Sequence, residues 1–284
     1  MTIKAERCRL VFHKLQRDLD KLAAGQQAET VHRFRTSTRR LQTLMEELIP
    51  ERTHKQRKLL KVLRGIRRKA GKLRDLDVQI AALRSLKVPL EGRRATQLLA
   101  GLIELRAEHE QKLRKTLTKR AAREVGKQLK RIVKEVELKR SRDPLAAARE
   151  ILSRAMPPAG PVTEDALHRC RLLVKRARYA AEFAPESAAA NQFIAQLKRL
   201  QDILGNWNDW LTLTQTATER LGSVNQSPLV AVLHNVTGAK LRNAVAAIAA
   251  TSSLQPGPKA VFPARSGKAG MKTVRQAARK DAAA

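Results

Sequence analysis

A histidine followed by regularly spaced cations occurs twice in the sequence, in a pattern that could bind phosphate. The segment VHRFRTSTRRLQ at Val31–Gln42 aligns with LHRCRLLVKRAR at Leu167–Arg178, and both contain His-x-x-Arg-x-x-x-Arg/Lys-Arg/Lys. Arginine and lysine hold phosphate oxygens through charge-assisted hydrogen bonds, and the planar arginine fork does so bidentately. The repeated spacing therefore predicts an anion-binding surface.

Helical geometry places most of these cations on one face. At about 100° per residue, Arg35 lies at about −60° from His32, Arg39 at about −20° and Arg40 at about +80°. The second copy repeats this arrangement and adds a cation at about −80° on the other side. Its members are His168, Arg171, Lys175, Arg176 and Arg178. Each copy predicts a basic strip along which a flexible phosphate chain could lie.

The two histidines have two interpretations, as phosphate-contacting cations or as structural residues of a half-apolar helix. Nearby cations should lower the pKa of His32 and His168 in the empty protein, whereas a bound polyanion should raise it. If the histidines bind as cations, affinity should fall as the pH rises above about 6.5.

The overall charge points to a polyanionic partner. The chain has 58 Lys plus Arg against 26 Asp plus Glu, a formal net charge of +32, of which the segment from Gln255 onward contributes only +6. Such an imbalance favours nucleic acid, polyphosphate or an anionic membrane. Aromatic residues make up only 3% of the chain, and readers of single-stranded nucleic acid stack bases on aromatic rings. The composition therefore favours phosphate over bases as the ligand.

The elements that carry these residues are predicted to be helices throughout. Apolar residues recur at three- and four-residue steps, and no stretch alternates as a strand would. Asp143 before Pro144 and Thr163 before an acidic turn are expected N-caps. The first predicted helix ends at Gly25. The next two cover about 29–49 and 53–86, and a charged fourth segment extends to about 139. The last four cover about 144–156, 163–185, 187–221 and 228–250.

A second pair of matching segments indicates an internal duplication. AGKLRDLDVQIAAL at Ala70–Leu83 aligns with LGNWNDWLTLTQTA at Leu204–Ala217, which pairs Gly71 with Gly205. We therefore predict one domain over 1–252, with repeat 1 at about 1–140 and repeat 2 at about 141–252. The Pro-, Gly- and Lys-rich residues 253–284 are predicted to be a disordered basic tail.

The cysteines and the hydropathy indicate a cytoplasmic protein without a membrane partner. Cys8 and Cys170 lie among apolar helical positions, which predicts reduced core residues rather than a disulfide. The first residues, MTIKAERCRLVFHK, lack the apolar stretch of a signal peptide. No stretch approaches the roughly 18 apolar residues of a membrane span.

The sequence resembles the CHAD family, the conserved histidine α-helical domain. The matching elements VHRFRTSTRRL, LRDLDV, LHRCRLLVKRARYAAEF and LKRLQDILGNWND occur in the family's order. The resemblance implies an all-α fold of two four-helix bundles with pseudo-twofold symmetry, binding inorganic polyphosphate around a basic central groove, here without a CYTH triphosphatase domain. By position, the implied polyphosphate-binding residues are His32, Arg35, Arg39, Arg40, Arg64, His168, Arg171, Lys175, Arg176, Arg178 and Lys198. Gln42, and Asn208 opposite Arg74, depart from the pattern, so the two halves are expected to grip unequally.

The leading hypothesis is non-catalytic polyphosphate binding, with recruitment to polyphosphate granules. A nucleic-acid-binding or nucleoid-associated protein is the alternative, and an enzyme acting on phosphoanhydrides is a third hypothesis. Asp75 and Asp77 point about 200° apart on a helix and are expected to pair with Arg68 or Arg74 rather than to share a site. No motif arranges a nucleophile with a base, so we predict no catalytic residue, no cofactor and no metal.

Overall fold

The fold of this computed structural model is described for residues 3–86, 92–155 and 162–252, and all regular structure in these ranges is helical. The predicted all-α class is confirmed. The helices are α1 (Ala5–Ala24), α2 (Ala28–Thr43), α3 (His54–Ser85), α4 (Gly92–Thr116), α5 (Lys119–Glu135), α6 (Pro144–Ser153), α7 (Glu164–Ala181), α8 (Ala188–Leu221) and α9 (Pro228–Ser252). The predicted tail at 253–284 and the predicted end of α6 at Met156 lie outside the described residues.

Side-chain caps begin several of these helices where the sequence places them. The Asp143 carboxylate accepts a hydrogen bond from the Ala146 backbone N–H at 2.8 Å, with Pro144 in the first helical position. Thr163 caps α7 in the same way through the N–H of Ala166. Each cap satisfies a backbone donor that the first turn of a helix leaves free. Both predicted N-caps are confirmed.

Two local features differ from the sequence prediction. The charged fourth segment, predicted as one helix, is two helices, because the Thr118 hydroxyl caps a new one through the N–H of Ala121. Leu117, which precedes the cap, is buried in the core. In addition, α2 stops at Thr43 and continues as one π-helical turn over Leu44–Leu48. Neither break coincides with a proline or a glycine.

Two hydrophobic clusters form the core, and each draws on both halves of the chain. The larger cluster joins α1, α2, the N-terminal half of α3 and α5 to α6, α7 and the N-terminal half of α8. The smaller cluster joins the C-terminal halves of α3 and α8 to the N-terminal parts of α4 and α9. The two halves therefore pack against each other, with α2 on α7 and α3 on α8. These are the helices that carry the two aligned pairs of segments.

Both cysteines are unpaired and buried in the larger cluster, as predicted. Burial raises the pKa of each thiol, of Cys8 and of Cys170, to about 11. Neither thiol therefore ionises readily near neutral pH. Within the described ranges, every helix is too short or too polar to cross a membrane.

Candidate functional site: a basic cleft between the halves

A cleft of about 1020 Å³ opens between α2, α3, α7 and α8. Six of the residues predicted to bind phosphate line it, namely His32, Arg35, Arg39, His168, Arg171 and Lys175. They come from α2 and α7, the two helices that carry the repeated histidine pattern. The three members of each copy that share a helical face therefore reach one common space.

Arg35 and Arg171 hold matching positions in the two walls. The Arg35 Nη2 lies 3.7 Å from Oδ1 of Asp75, and the Arg171 Nη2 lies 3.9 Å from Oδ1 of Asp209. The two arginine side chains are only 17% and 15% exposed. Burial lowers the pKa of both guanidinium groups, and the two aspartates act against this shift. At these distances neither arginine forms a hydrogen bond with its aspartate. The buried Nε of Arg171 also has no hydrogen-bond partner among the described residues.

The glycine on α3 gives Arg35 its path into the cleft. A Cβ at Gly71 would collide with the Arg35 guanidinium, which continues past it to the carbonyl oxygen of Arg67 at 3.4 Å. The aligned glycine on α8, Gly205, lines the cleft but would place a Cβ in open space. The two walls therefore hold their arginines differently.

Three further cations line the cleft without a neutralising partner. Arg39, Arg74 and Lys175 form no hydrogen bond or ion pair within the part of the chain that is described. Burial, together with the Arg171 and Arg39 guanidinium groups, lowers the pKa of Lys175 from 10.5 to about 7. The sequence pattern does not identify Arg74 as a site residue, although Arg74 aligns with Asn208 in the duplicated segments. The cleft thus contains like charges that affect one another.

The two histidines differ because their neighbours on α3 and α8 differ. Partial burial and the nearby Arg74 guanidinium lower the pKa of His32. In the other wall, Nδ1 of His168 lies 3.2 Å from the side-chain oxygen of Asn208, within hydrogen-bond distance. The Arg74/Asn208 difference thus gives one histidine a cation and the other a neutral amide. Whether either contacts phosphate stays a prediction.

The other five predicted binding residues lie outside the cleft lining, and each pairs with a carboxylate. The pairs are Arg40–Glu182 at 2.7 Å, Arg64–Glu46 at 2.6 Å, Arg176–Glu47 at 3.1 Å, Arg178–Glu182 at 3.0 Å and Lys198–Asp202 at 2.7 Å. Helical geometry already placed Arg40 and Arg178 at the flanks of their strips. Their role in binding stays a prediction.

Carboxylates also line the cleft, so the charges of its lining are of both signs. They are Asp75, Glu164, Asp165, Asp202 and Asp209. Asp75 and Asp209 face arginines of the cleft, and Asp202 pairs with Lys198. Glu164 and Asp165 are exposed in the first turn of α7, where the helix dipole favours acids. The anions thus have partners or solvent. Arg39, Arg74 and Lys175, by contrast, form no ion pair within the described residues, although Asp209 acts on Arg74 and Lys175 from farther away.

The two aspartates of the LRDLD segment point away from each other, as expected, but their predicted partners were wrong. Asp75 lies by Arg35, and Asp77 accepts a hydrogen bond from Arg106 of α4 at 2.7 Å. Arg68 and Arg74, the sequence neighbours, pair with neither. Across the described ranges, no cluster of three or more His, Cys, Asp or Glu side chains is arranged to hold a metal ion.

The fold and the cleft together define a class of protein, an all-helical bundle with a cleft between its two halves that is lined by cations. A model of the CHAD domain matches residues 6–218, and this chain belongs to the CHAD domain family. Its fold is similar to the crystal structure of the CHAD domain from the plant Ricinus communis, with a TM-score of 0.59 and 19% identity over 86% of this chain and 89% of the plant chain. No curated protein matches the sequence.

Proposed function

We propose that this protein binds long phosphate polymers, above all inorganic polyphosphate, in the cleft and does not cleave them. The proposed contacts are Arg35, Arg39 and Arg74 from the first half and Arg171 and Lys175 from the second. His32 and His168 lie beside these cations on the same helices. Membership of the CHAD family supports polyphosphate as the ligand, and the cleft supplies the local chemistry.

One observation carries the proposal: Arg39 and Lys175 line the cleft and form no ion pair within the described residues, and the more distant Asp209 offsets only part of the effect of burial and of the arginines on Lys175. Burial and crowding by like charges disfavour the protonated form of Lys175, which brings its pKa to about 7. A bound polyanion relieves this repulsion and also adds charge-assisted hydrogen bonds. A ligand dense in negative charge would therefore stabilise the protonated cations of the cleft.

A polymer fits this arrangement better than a single phosphate. The cations project from α2 and α3 in one half and from α7 in the other, so they line the cleft from three helices. Arg35 and Arg39 lie one helical turn apart, about 6 Å along the axis. A chain with a negative charge on every repeat meets all of these cations at once, and each further contact adds to the same binding event.

Base recognition has little support in the cleft. Of its three aromatic rings, Trp207 is fully buried and Tyr179 is 5% exposed, which leaves Trp210 as the half-exposed one. Proteins that bind single-stranded nucleic acid stack successive bases on exposed rings. Nucleic acid is therefore the competing ligand to test, and the basic outer surface supplies only non-specific attraction to it.

A competition experiment separates the two ligands. Fluorescent long-chain polyphosphate is bound to the full chain at fixed salt, and duplex DNA or unlabelled polyphosphate is added at equal phosphate concentration. Unlabelled polyphosphate is expected to displace the probe at least tenfold more effectively than DNA. Equal or better displacement by DNA would contradict the proposal.

The non-catalytic part of the proposal needs its own measurement. The protein is incubated with long-chain polyphosphate and Mg²⁺ or Mn²⁺, and orthophosphate release and chain length are followed. No shortening above the protein-free control is expected. Metal-dependent release that the Arg39→Gln/Lys175→Gln variant loses would instead establish an enzyme acting on phosphoanhydrides.

Binding of this kind would place the protein on cytoplasmic polyphosphate granules. A fluorescently tagged chain is expected to form foci that coincide with granules and to become diffuse in cells that make no polyphosphate. Persistence of the same foci in those cells would contradict granule recruitment.

A further inference from the structure

The amine of Lys175 lies in a setting that favours nucleophilic chemistry. It lines the cleft from α7, half-buried, and forms no hydrogen bond or ion pair within the described residues. The charged groups that act on it are Arg171 on its own helix, Arg35 and Arg39 on α2 and Asp209 on α8. His32, also on α2, is close enough for its own pKa to be affected by Lys175. Three guanidinium groups and one carboxylate thus act on one amine.

Near neutral pH this amine is unprotonated for much of the time. Its pKa is lowered to about 7 by burial and by the neighbouring arginines, whereas an exposed lysine, with a pKa of about 10.4, is almost wholly protonated. Only the neutral amine has the lone pair that attacks an electrophile, and lysines desolvated beside other cations are activated in this way. The guanidinium groups beside it are of the kind that holds phosphate oxygens through charge-assisted hydrogen bonds. The cleft therefore combines a nucleophile with groups suited to bind phosphate.

We propose that Lys175 is a modification site that acyl phosphates acylate directly, with Arg39 and Arg171 holding the phosphoryl group of the reagent. The neutral Nζ attacks the acyl carbon, and a C–N bond forms while the bond from that carbon to the bridging oxygen breaks. The phosphate leaves with the electron pair and takes up, through solvent, the proton that the amine loses. The products are an Nζ-acyl lysine and hydrogen phosphate.

Two lysines outside the cleft, Lys198 and Lys127, lack this combination. Lys198 is 61% exposed and pairs with Asp202 at 2.7 Å, and Lys127 is 65% exposed and pairs with Glu124 at 2.9 Å. In both cases a carboxylate stabilises the charged amine, and neither lysine lines the cleft. Lys198 serves as the internal reference for reactivity, because it lies on α8 in the same chain.

Acylation would remove one of the unpaired cations of the cleft. An amide carries no charge and cannot be protonated at physiological pH, so the modified cleft loses a contact for phosphate polymers. This consequence rests on the proposed function, whereas the acylation itself does not require that polyphosphate be the natural ligand. Polyphosphate in the cleft would in turn favour the protonated form of Lys175. It would also exclude the acyl phosphate.

The test uses acetyl phosphate as the probe and peptide mass spectrometry as the readout. At pH 7.5 Lys175 is expected to be acetylated roughly tenfold faster than Lys198, as befits a lysine activated by its lowered pKa. Inorganic phosphate in excess should slow the acetylation of Lys175 and leave the acetylation of Lys198 unchanged. Acetylation of Lys175 no faster than that of Lys198 would overturn the proposal.

A reagent without a phosphate separates phosphate recognition from simple nucleophilicity. The ratio of Lys175 to Lys198 acetylation should be several-fold higher with acetyl phosphate than with p-nitrophenyl acetate, and Arg39→Gln should bring the two ratios together. Equal ratios in the native protein would overturn the role given to the arginines. Polyphosphate binding is measured on the same samples, so selective acetylation without polyphosphate binding would reject the proposed function alone.

Discussion

The Arg35 guanidinium crosses α3 directly over Gly71, so closely that a Cβ there would collide with its Nη1. A Gly71→Ala substitution therefore forces Arg35 away from Asp75 and from the Arg67 carbonyl. Polyphosphate affinity is expected to fall roughly tenfold, as for the loss of one charged hydrogen bond. The free energy of unfolding should change little, because alanine favours a helix over glycine by about 1 kcal/mol and offsets the displaced contact.

Gly205→Ala is the matched control for that change. The Cβ at this position meets nothing within 4 Å, so the variant should gain about 0.5–1 kcal/mol of stability from helix propensity. Its affinity for polyphosphate should be that of the native protein. Urea unfolding and polyphosphate titration measure the two quantities, and equal affinities for the two variants would contradict the role given to Gly71.

The pH dependence of stability tests the environment of Lys175. Its pKa is about 7 in the folded protein and about 10.4 when unfolded, so between these values the unfolded chain binds more protons. The free energy of unfolding of the empty protein should therefore gain a contribution from Lys175 as the pH rises from about 7 to about 10. Lys175→Met removes this contribution. Urea unfolding at several pH values should give a smaller rise for the variant, and identical slopes would contradict the assignment.

The affinity for polyphosphate should show the opposite trend. The bound polymer favours protonated Lys175, so binding above pH 7 takes up a proton and weakens as the pH rises. The lowered pKa of His32 has the same effect at more acidic pH. At matched salt, affinity should decline from pH 6 to pH 9, and Lys175→Met should flatten the part above pH 7. A native affinity that is constant over this range would show that neither group binds as a cation.

Much of the fold follows from the sequence because helix signals are local. Apolar periodicity identifies the helices, and Asp143 and Thr163 mark two of their starts correctly. The break before α5 was missed because a threonine N-cap at Thr118 is a weak signal inside a charged stretch. The π-helical turn after Thr43 was also missed, since the packing of its neighbours decides it. The two clusters that join the halves depend on how distant helices meet.

Helical geometry predicts a residue of the site correctly only where its face of a single helix determines whether it reaches the cleft. His32, Arg35 and Arg39 share a face and reach the cleft together, whereas Arg40 at the flank meets Glu182 instead. That ion pair could not be predicted, because its acid lies 142 residues away in the chain. Arg74 was overlooked for the same reason: its position in the cleft depends on how α3 packs against α8.

Glu182 stabilises the junction of the halves by pairing with two arginines. Its Oε2 lies 2.7 Å from Nε of Arg40 on α2, and its Oε1 lies 3.0 Å from Nη1 of Arg178 on α7. Glu182→Gln leaves both partly buried guanidinium groups without their carboxylate and should destabilise the protein by about 1–3 kcal/mol. Glu29→Gln, which breaks the exposed pair with Arg33, should have little effect. Urea unfolding of both variants decides, and equal losses would contradict the structural role of Glu182.

The most direct test of the account is calorimetric titration of long-chain polyphosphate against two double variants that lose the same charge. Arg39→Gln/Lys175→Gln removes two unpaired cations of the cleft, and Arg176→Gln/Lys198→Gln removes two paired cations outside it. At fixed salt and pH 6.5, the cleft variant should bind about 100-fold more weakly than the native protein, at roughly 1.5 kcal/mol per charged contact. The outer variant should bind only a few-fold more weakly. Equal losses in the two variants would mean that polyphosphate follows the overall charge and not the cleft.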